Sequence, residues 1–157
     1  MIKFDKYGNP QPPGIVNIPL ADFKLVFVDN FGTSKTRNII FEKYEGYVTD
    51  FKSQINKEFD HWLNGSYSTT KENPNDIDLI NIVQFSEDLN SKQNELRSFL
   101  TVGGSKEKYL VDGYFIPVYA KDDPRHVITE HWLNHWANFF GKDRNDRQKT
   151  LFEVTFN

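Results

Sequence analysis

Cysteine is absent from this chain, so disulfides, thiolate zinc centres and cysteine nucleophiles drop out together. No apolar run approaches the ~20 residues that span a bilayer. The opening Met1-Ile2-Lys3-Phe4-Asp5-Lys6 lacks the long apolar core of a secretion signal. A cytoplasmic protein with no membrane partner is therefore expected. Charge of one sign is scarce as well: 19 Lys and Arg against 22 Asp and Glu leave a formal net charge of −3. That is too little for a global pull on nucleic acid or on an anionic lipid surface, although a local basic patch stays open.

What the chain does carry is aromatic. Hydrophobic residues are only 38% of the 157, but aromatics are 15%, with 14 phenylalanines among them. Those rings supply the core-forming area of what is most simply one domain. Residues 8–19 hold Gly8, Pro10, Pro12, Pro13, Gly14 and Pro19 and read as extended lead-in over the surface, leaving 20–157 as the domain. A short helix is expected over 20–28. Ile40, Phe41, Tyr44, Tyr47, Val48, Phe51 and Ile55 recur at three- and four-residue steps, which predicts a long amphipathic helix over about 35–57. Strands are expected at 59–64, 77–85, 109–119 and 150–156, and helices at 91–100 and 124–140. Pro117 marks its strand as an edge or a bulge. The order predicts an α/β (α+β) domain: a mixed sheet of about four strands with flanking helices and added N-terminal helices.

The chemistry concentrates between the first two strands. Gly65-Ser66 leaves one strand, and Asp76-Ile77-Asp78 opens the next. Glycine lets backbone N–H groups approach a phosphate, and the serine hydroxyl adds a donor. Residues two apart on a strand share a face, so Asp76 and Asp78 repel unless a divalent cation lies between them. Asp112 lies in the third strand, beside a Gly113 that leaves room for a ligand. If that strand neighbours the second, the three carboxylates suit in-line phosphoryl transfer with Mg2+ or Mn2+. Each dipeptide alone is common and mostly structural.

Together they resemble the DNA polymerase beta-like nucleotidyltransferase superfamily. The likeness tightens over Trp62-Leu63-Asn64-Gly65-Ser66-Tyr67-Ser68-Thr69 to Lys71 and over Pro74-Asn75-Asp76-Ile77-Asp78-Leu79. This segment resembles a family of small bacterial proteins of unknown function with G-S-[FY]-x-T-x-K and P-N-D-I-D signatures. The resemblance implies a minimal nucleotidyltransferase fold, with Gly65 and Ser66 on the nucleotide phosphates and Asp76 and Asp78 on the metals. Asp112 would complete the metal site or act as general base. It implies transfer of a nucleoside monophosphate from an NTP, ATP by default, to a protein or RNA hydroxyl. A toxin or operon partner in a toxin–antitoxin or phage-defence system also follows by analogy. Larger members add a helical domain that cradles base and acceptor. Here one strand follows the Trp-rich helix, so those tasks are expected to need a partner, a dimer or the N-terminal helices. The competing readings are a catalytically silent nucleotide-binding or antitoxin-like module, and a metal-dependent phosphohydrolase.

Other residues have weaker claims. Lys71 lies between the turn and the acids, within range of a triphosphate, and is equally at home as a solvated loop lysine. Lys106 and Lys108, flanking Gly103-Gly104, read the same way. His131 and His135 share a helix face, but Trp132 stands where the zinc-protease motif needs glutamate, so a surface or packing pair is expected. Trp132 and Trp136 read as core against the sheet, and Lys142, Arg144, Arg147 and Lys149 as a solvated basic turn.

Overall fold

The alternation of aromatic and β-branched residues in the strand segments produces the sheet that organises everything else. The computed structural model describes residues 1–157. Two short pairs of residues, β1 (Lys3–Phe4) and β2 (Pro10–Gln11), form an antiparallel ribbon. They are followed by β3 (Gly14–Asn17) and by α1 (Leu20–Lys24), which runs on as one π-helical turn to Asp29. Then come α2 (Arg37–Gln54), β4 (Phe59–Asn64), β5 (Ile77–Gln84), α3 (Glu87–Ser91), α4 (Gln93–Arg97) and α5 (Ser105–Tyr109). The chain closes with β6 (Val111–Val118), α6 (His126–Phe140) and β7 (Thr150–Phe156). The main sheet has five strands in the order β3-β7-β4-β5-β6, parallel at its two outer pairs and antiparallel within. The result is a mixed α/β architecture, and no helix is long and apolar enough to cross a membrane.

Three expectations need correction. The sheet has five strands because Gly14–Asn17, within the segment read as lead-in, pairs with β7. The helix expected over 91–100 is two short helices broken at Lys92, after Ser86 caps the first by accepting from the Leu89 N–H at 3.0 Å. The third strand starts at Val111, because residues 105–109 form a helical turn that ends at Leu110 with φ 55°. Pro117 does lie on an edge strand. That edge is blunted: Ser105 Oγ donates to the Val111 carbonyl at 2.7 Å, Thr129 Oγ1 to that of Pro117 at 2.8 Å, and Pro117 has no N–H.

The two faces of the sheet differ. One is covered by α1 and α2, whose Ile40, Phe41, Tyr44, Tyr47, Val48 and Phe51 pack on Phe59, Leu63, Leu79, Val83, Phe152 and Val154. Within this aromatic core runs a satisfied polar chain. His61 Nε2 donates to Asn81 Oδ1 at 2.9 Å, which fixes Nδ1 as acceptor for the Tyr44 hydroxyl at 2.9 Å. Asn81 Nδ2 in turn donates to Tyr47 at 2.7 Å, and Tyr47 to the Phe99 carbonyl at 2.9 Å. His61 has no exposed surface, and burial drives its pKa from 6.5 down to about 3, so the ring stays neutral. The other face carries a smaller cluster of Trp62, Ile80, Ile82, Ile116, Phe140 and Leu151, covered by α6 alone.

Candidate functional site

Strand register assembles the site. Asn64, Asp78 and Asp112 occupy one row across β4, β5 and β6: Asn64 pairs with Asp78, and Asp78 with Asp112. Paired residues on adjacent strands point to the same face about 5 Å apart. The Asp78 and Asp112 carboxyl groups are within hydrogen-bonding reach of each other. Asp76 lies just before β5, where its carboxylate meets the Lys106 ammonium at 3.0 Å. Burial first, then the charge of Asp76, then Asp112, push Asp78 up from 3.8 to about 7. At neutral pH Asp78 therefore holds a proton for part of the time.

Gly65 is tied to this row by contact. It adopts φ 77° and ψ −163°, a region open essentially to glycine, and a Cβ there would fall 1.8 Å from Asp78 Oδ2. Its N–H donates to Asn64 Oδ1, while Asn64 Nδ2 donates to the Phe140 carbonyl at the end of α6. Ser66 follows and opens a single 3-10 turn through Ser68. Beneath the turn lies Lys149, only 4% exposed, its ammonium donating to the Gly65 carbonyl at 3.2 Å. Burial pulls Lys149 down from 10.5 to about 8, while Asp78 works against that fall.

The sequence-derived residues divide cleanly. Gly65, Ser66, Asp76, Asp78 and Asp112 come together at one end of the sheet. Lys71 does not join them: it is exposed, and its contribution is a backbone carbonyl that accepts from Arg37 Nε at 3.2 Å. Gly113 makes no room for a ligand either, since its missing side chain admits the Phe99 carbonyl, 2.3 Å from where a Cβ would lie, on the helix-covered face. The basic turn is only partly solvated, because Lys149 is buried under Gly65. Lys106, weighed beside Lys71 as a triphosphate contact or a solvated lysine, meets Asp76, and three residues entered without being singled out for this site: Lys149, Asn64 and Arg37. Only Asn64 had a local signal, an amide directly before a Gly-Ser turn.

Arg37 holds the loop after the Gly65-Ser66 turn from behind. Fully buried at the start of α2, it donates to the carbonyls of Phe27, Tyr67, Thr69 and Lys71. Its guanidinium also lies 3.9 Å from the Phe31 ring centroid. Residues 67–71 are thus fixed immediately after Gly65-Ser66.

A family model for a family of unknown function, DUF6932, matches residues 2–155. The chain belongs to the DUF6932 family. No curated protein and no solved structure matches it. The match takes in every residue of the DUF6932 site described above, from Arg37 to Lys149.

Three carboxylates are grouped at one end of the sheet, one of them holding its proton to about pH 7. In this arrangement Lys106 supplies the positive charge at Asp76, and Thr101 Oγ1 donates to Asp112. No three His, Asp or Glu side chains converge on one metal position.

The titrations of Asp78 and His61 carry an expected result. An acid raised from 3.8 to about 7 binds its proton more tightly folded than unfolded, so Asp78 adds stability as pH falls through that window. A base lowered from 6.5 to about 3 does the reverse, so the stability tied to neutral His61 is present above 6.5 and lost as pH falls. Each slope approaches about 1.4 kcal/mol per pH unit. Between about pH 4 and 6.5 they oppose, and the unfolding free energy of the wild type is expected to change little. Asp78→Asn removes one of them, so its stability should fall by about 1 kcal/mol or more per unit on acidification. Urea unfolding across that range checks this, and parallel wild-type and mutant curves would contradict it.

Proposed function

We propose that this protein is a minimal metal-dependent nucleotidyltransferase that moves a nucleoside monophosphate from an NTP, ATP by default, to a hydroxyl on a protein or an RNA. The observation that carries this reading is the row Asn64–Asp78–Asp112, with the glycine turn pressed against the Asp78 carboxylate. Held by Asp76, Asp78 and Asp112, Mg2+ or Mn2+ would neutralise charge on the triphosphate and the departing pyrophosphate. The Ser66 N–H and hydroxyl bind phosphate oxygens, Gly65 lets the phosphate approach closely, and Lys149 places positive charge beneath them. Lys106, half exposed and 3.0 Å from Asp76, adds a second positive charge at the acids within range of a triphosphate. Asp112 takes the proton of the acceptor hydroxyl. The acceptor oxygen then bonds to the α-phosphorus, the bond to the β-phosphate bridging oxygen breaks, and pyrophosphate leaves with that electron pair.

A second reading is favoured by a specific observation: Asp76 is already countered by Lys106, and no three acids converge on one metal position. A catalytically silent nucleotide-binding or antitoxin-like module would look like this. Incubation with NTP labelled at the α-phosphate, Mg2+ or Mn2+, and RNA or protein acceptors separates the two. Transfer of label, lost in Asp112→Asn, supports the enzyme. Binding without turnover supports the silent module. Release of labelled mononucleotide with no adduct points to a phosphohydrolase using the same acids. A role in a toxin–antitoxin or phage-defence system rests on fold analogy, and a toxin or RNase encoded next to this gene would support it.

A further inference from the structure

The helix α6 does not bury all its aromatics, contrary to the expectation for Trp132. Thr129 and Phe140 are buried and Leu133 and Ala137 partly so, all on the side facing the sheet. Along the adjoining flank, at helical spacing, run Ile128, Trp132, Trp136 and Phe139. Trp132 is 39% exposed and Phe139 63%. This flank is joined to the acidic site by Tyr114 of β6. The Tyr114 ring packs on Trp136 with centroids 4.7 Å apart, and Trp136 lies 6.4 Å from Trp132 at an interplanar angle of 25°. Tyr114 shares a sheet face with Asp112, and its hydroxyl is within hydrogen-bonding reach of that carboxylate. The end of α6 is itself tied to the glycine turn, through Asn64 and the Phe140 carbonyl. An aromatic run thus starts at the carboxylates and ends in solvent.

We infer that the Trp136–Trp132 flank of α6 seats the base of the nucleotide whose phosphates meet Gly65 and Ser66, an inference that rests on the nucleotide reading above. The near-parallel indoles present flat π faces, and the run is continuous with the site at Tyr114. Every base has a π face, so stacking of this kind tolerates all four and gives little selectivity. His135 lies beside both indoles, with its ring centroid 5.4 Å from that of Trp132 and 5.0 Å from that of Trp136, and brings ring nitrogens to the edge of a stacked base. The flank is an aromatic strip bordered by the exposed His131 and Asn138, and its continuity with the carboxylates through Tyr114 is what favours a base over a protein partner or a second copy.

The test compares ATP–Mg2+ with inorganic tripolyphosphate–Mg2+, which has the phosphates and no base, on wild type and Trp132→Ala. Thermal shift and indole fluorescence are the readouts. Trp62 is buried, so quenching by a bound base reports the α6 indoles. Expected are quenching by all four NTPs and none by tripolyphosphate. Trp132→Ala should weaken ATP binding about tenfold or more, the cost of one lost stack, and leave tripolyphosphate affinity unchanged. Unchanged tripolyphosphate binding also shows that the variant is folded. Equal affinity for ATP and tripolyphosphate in wild type, or an unaffected ATP affinity in Trp132→Ala, overturns the inference and leaves the nucleotide reading standing. A dimer in sedimentation that Trp132→Ala dissociates without changing ATP affinity gives the flank to a second copy, and also overturns it. If neither ligand binds wild type, the nucleotide reading fails and takes this inference with it.

Discussion

Arg37→Met is expected to lower the free energy of unfolding by about 3–5 kcal/mol, chiefly the cost of leaving the buried carbonyls of Phe27 and Tyr67 without a donor at about 1–3 kcal/mol each. Methionine fills much of the same volume, so the loss is not mainly a cavity. It comes from the carbonyls of Phe27, Tyr67, Thr69 and Lys71, which lose the guanidinium donors that satisfy them. Those carbonyls belong to separate segments: the π turn after α1 and the loop after Gly65-Ser66. The substitution therefore loosens both the attachment of α1 and the loop after Gly65-Ser66. Arg37→Lys should recover little, because an ammonium has three donors about one point and cannot span carbonyls that the planar fork bridges. Urea unfolding of both variants measures this. A loss below about 1 kcal/mol for Met would mean that water replaces the guanidinium at low cost, and the staple role would be withdrawn.

On the proposed nucleotide reading, Gly65→Ala is expected to abolish nucleotide-dependent stabilisation, and it should cost several degrees of thermal midpoint on its own. Two causes act together. The backbone at φ 77° and ψ −163° disfavours any L side chain by about 1–3 kcal/mol. The new methyl would also fall 1.8 Å from Asp78 Oδ2, so the carboxylate must swing out of the row it forms with Asp112. For a domain of this size about 1 kcal/mol moves the midpoint by roughly 2–4 °C. The two causes are separable. In an Asp78→Ala background the colliding oxygen is gone, and Gly65→Ala should then cost only the backbone part. A double-mutant cycle should show coupling of about 1 kcal/mol or more. Strict additivity would mean that the turn and the carboxylate are independent, and the description of Gly65 as shaped around Asp78 would fail.

Much of the architecture was legible because its signals are local. The spacing of Ile40, Phe41, Tyr44, Tyr47, Val48 and Phe51 predicts the helix that forms, and the same residues are its buried face. Strands β4, β5 and β7 follow from alternation and turn chemistry, and Pro117 correctly marks an edge. Where local signals were weak, boundaries failed: two short helices stand in place of one around Lys92, and β3 formed from a proline-rich stretch because β7 offered it an edge.

For the site, residue types and spacing by themselves pointed to Gly65, Ser66, Asp76 and Asp78 at the end of one strand and the start of the next, and the antiparallel pairing of Asn64 with Asp78 closes the long loop over residues 65–76 between them. Whether Asp112 joins them depended on β6 pairing with β5 in a register that sets Asp112 beside Asp78, and no local pattern encodes strand order. The same holds for the cations. Lys71 is near in sequence and turns away, whereas Lys149 arrives from just before the last strand and Lys106 from α5. The exposure of Trp132 was hidden for a related reason: helical spacing shows that a face is apolar, and only the width of the sheet beneath α6 decides how much of that face is covered. A side chain's charge and shape are properties of its residue. Its burial, its partners and its pKa depend on every segment that packs around it, and those segments meet only when the sheet closes.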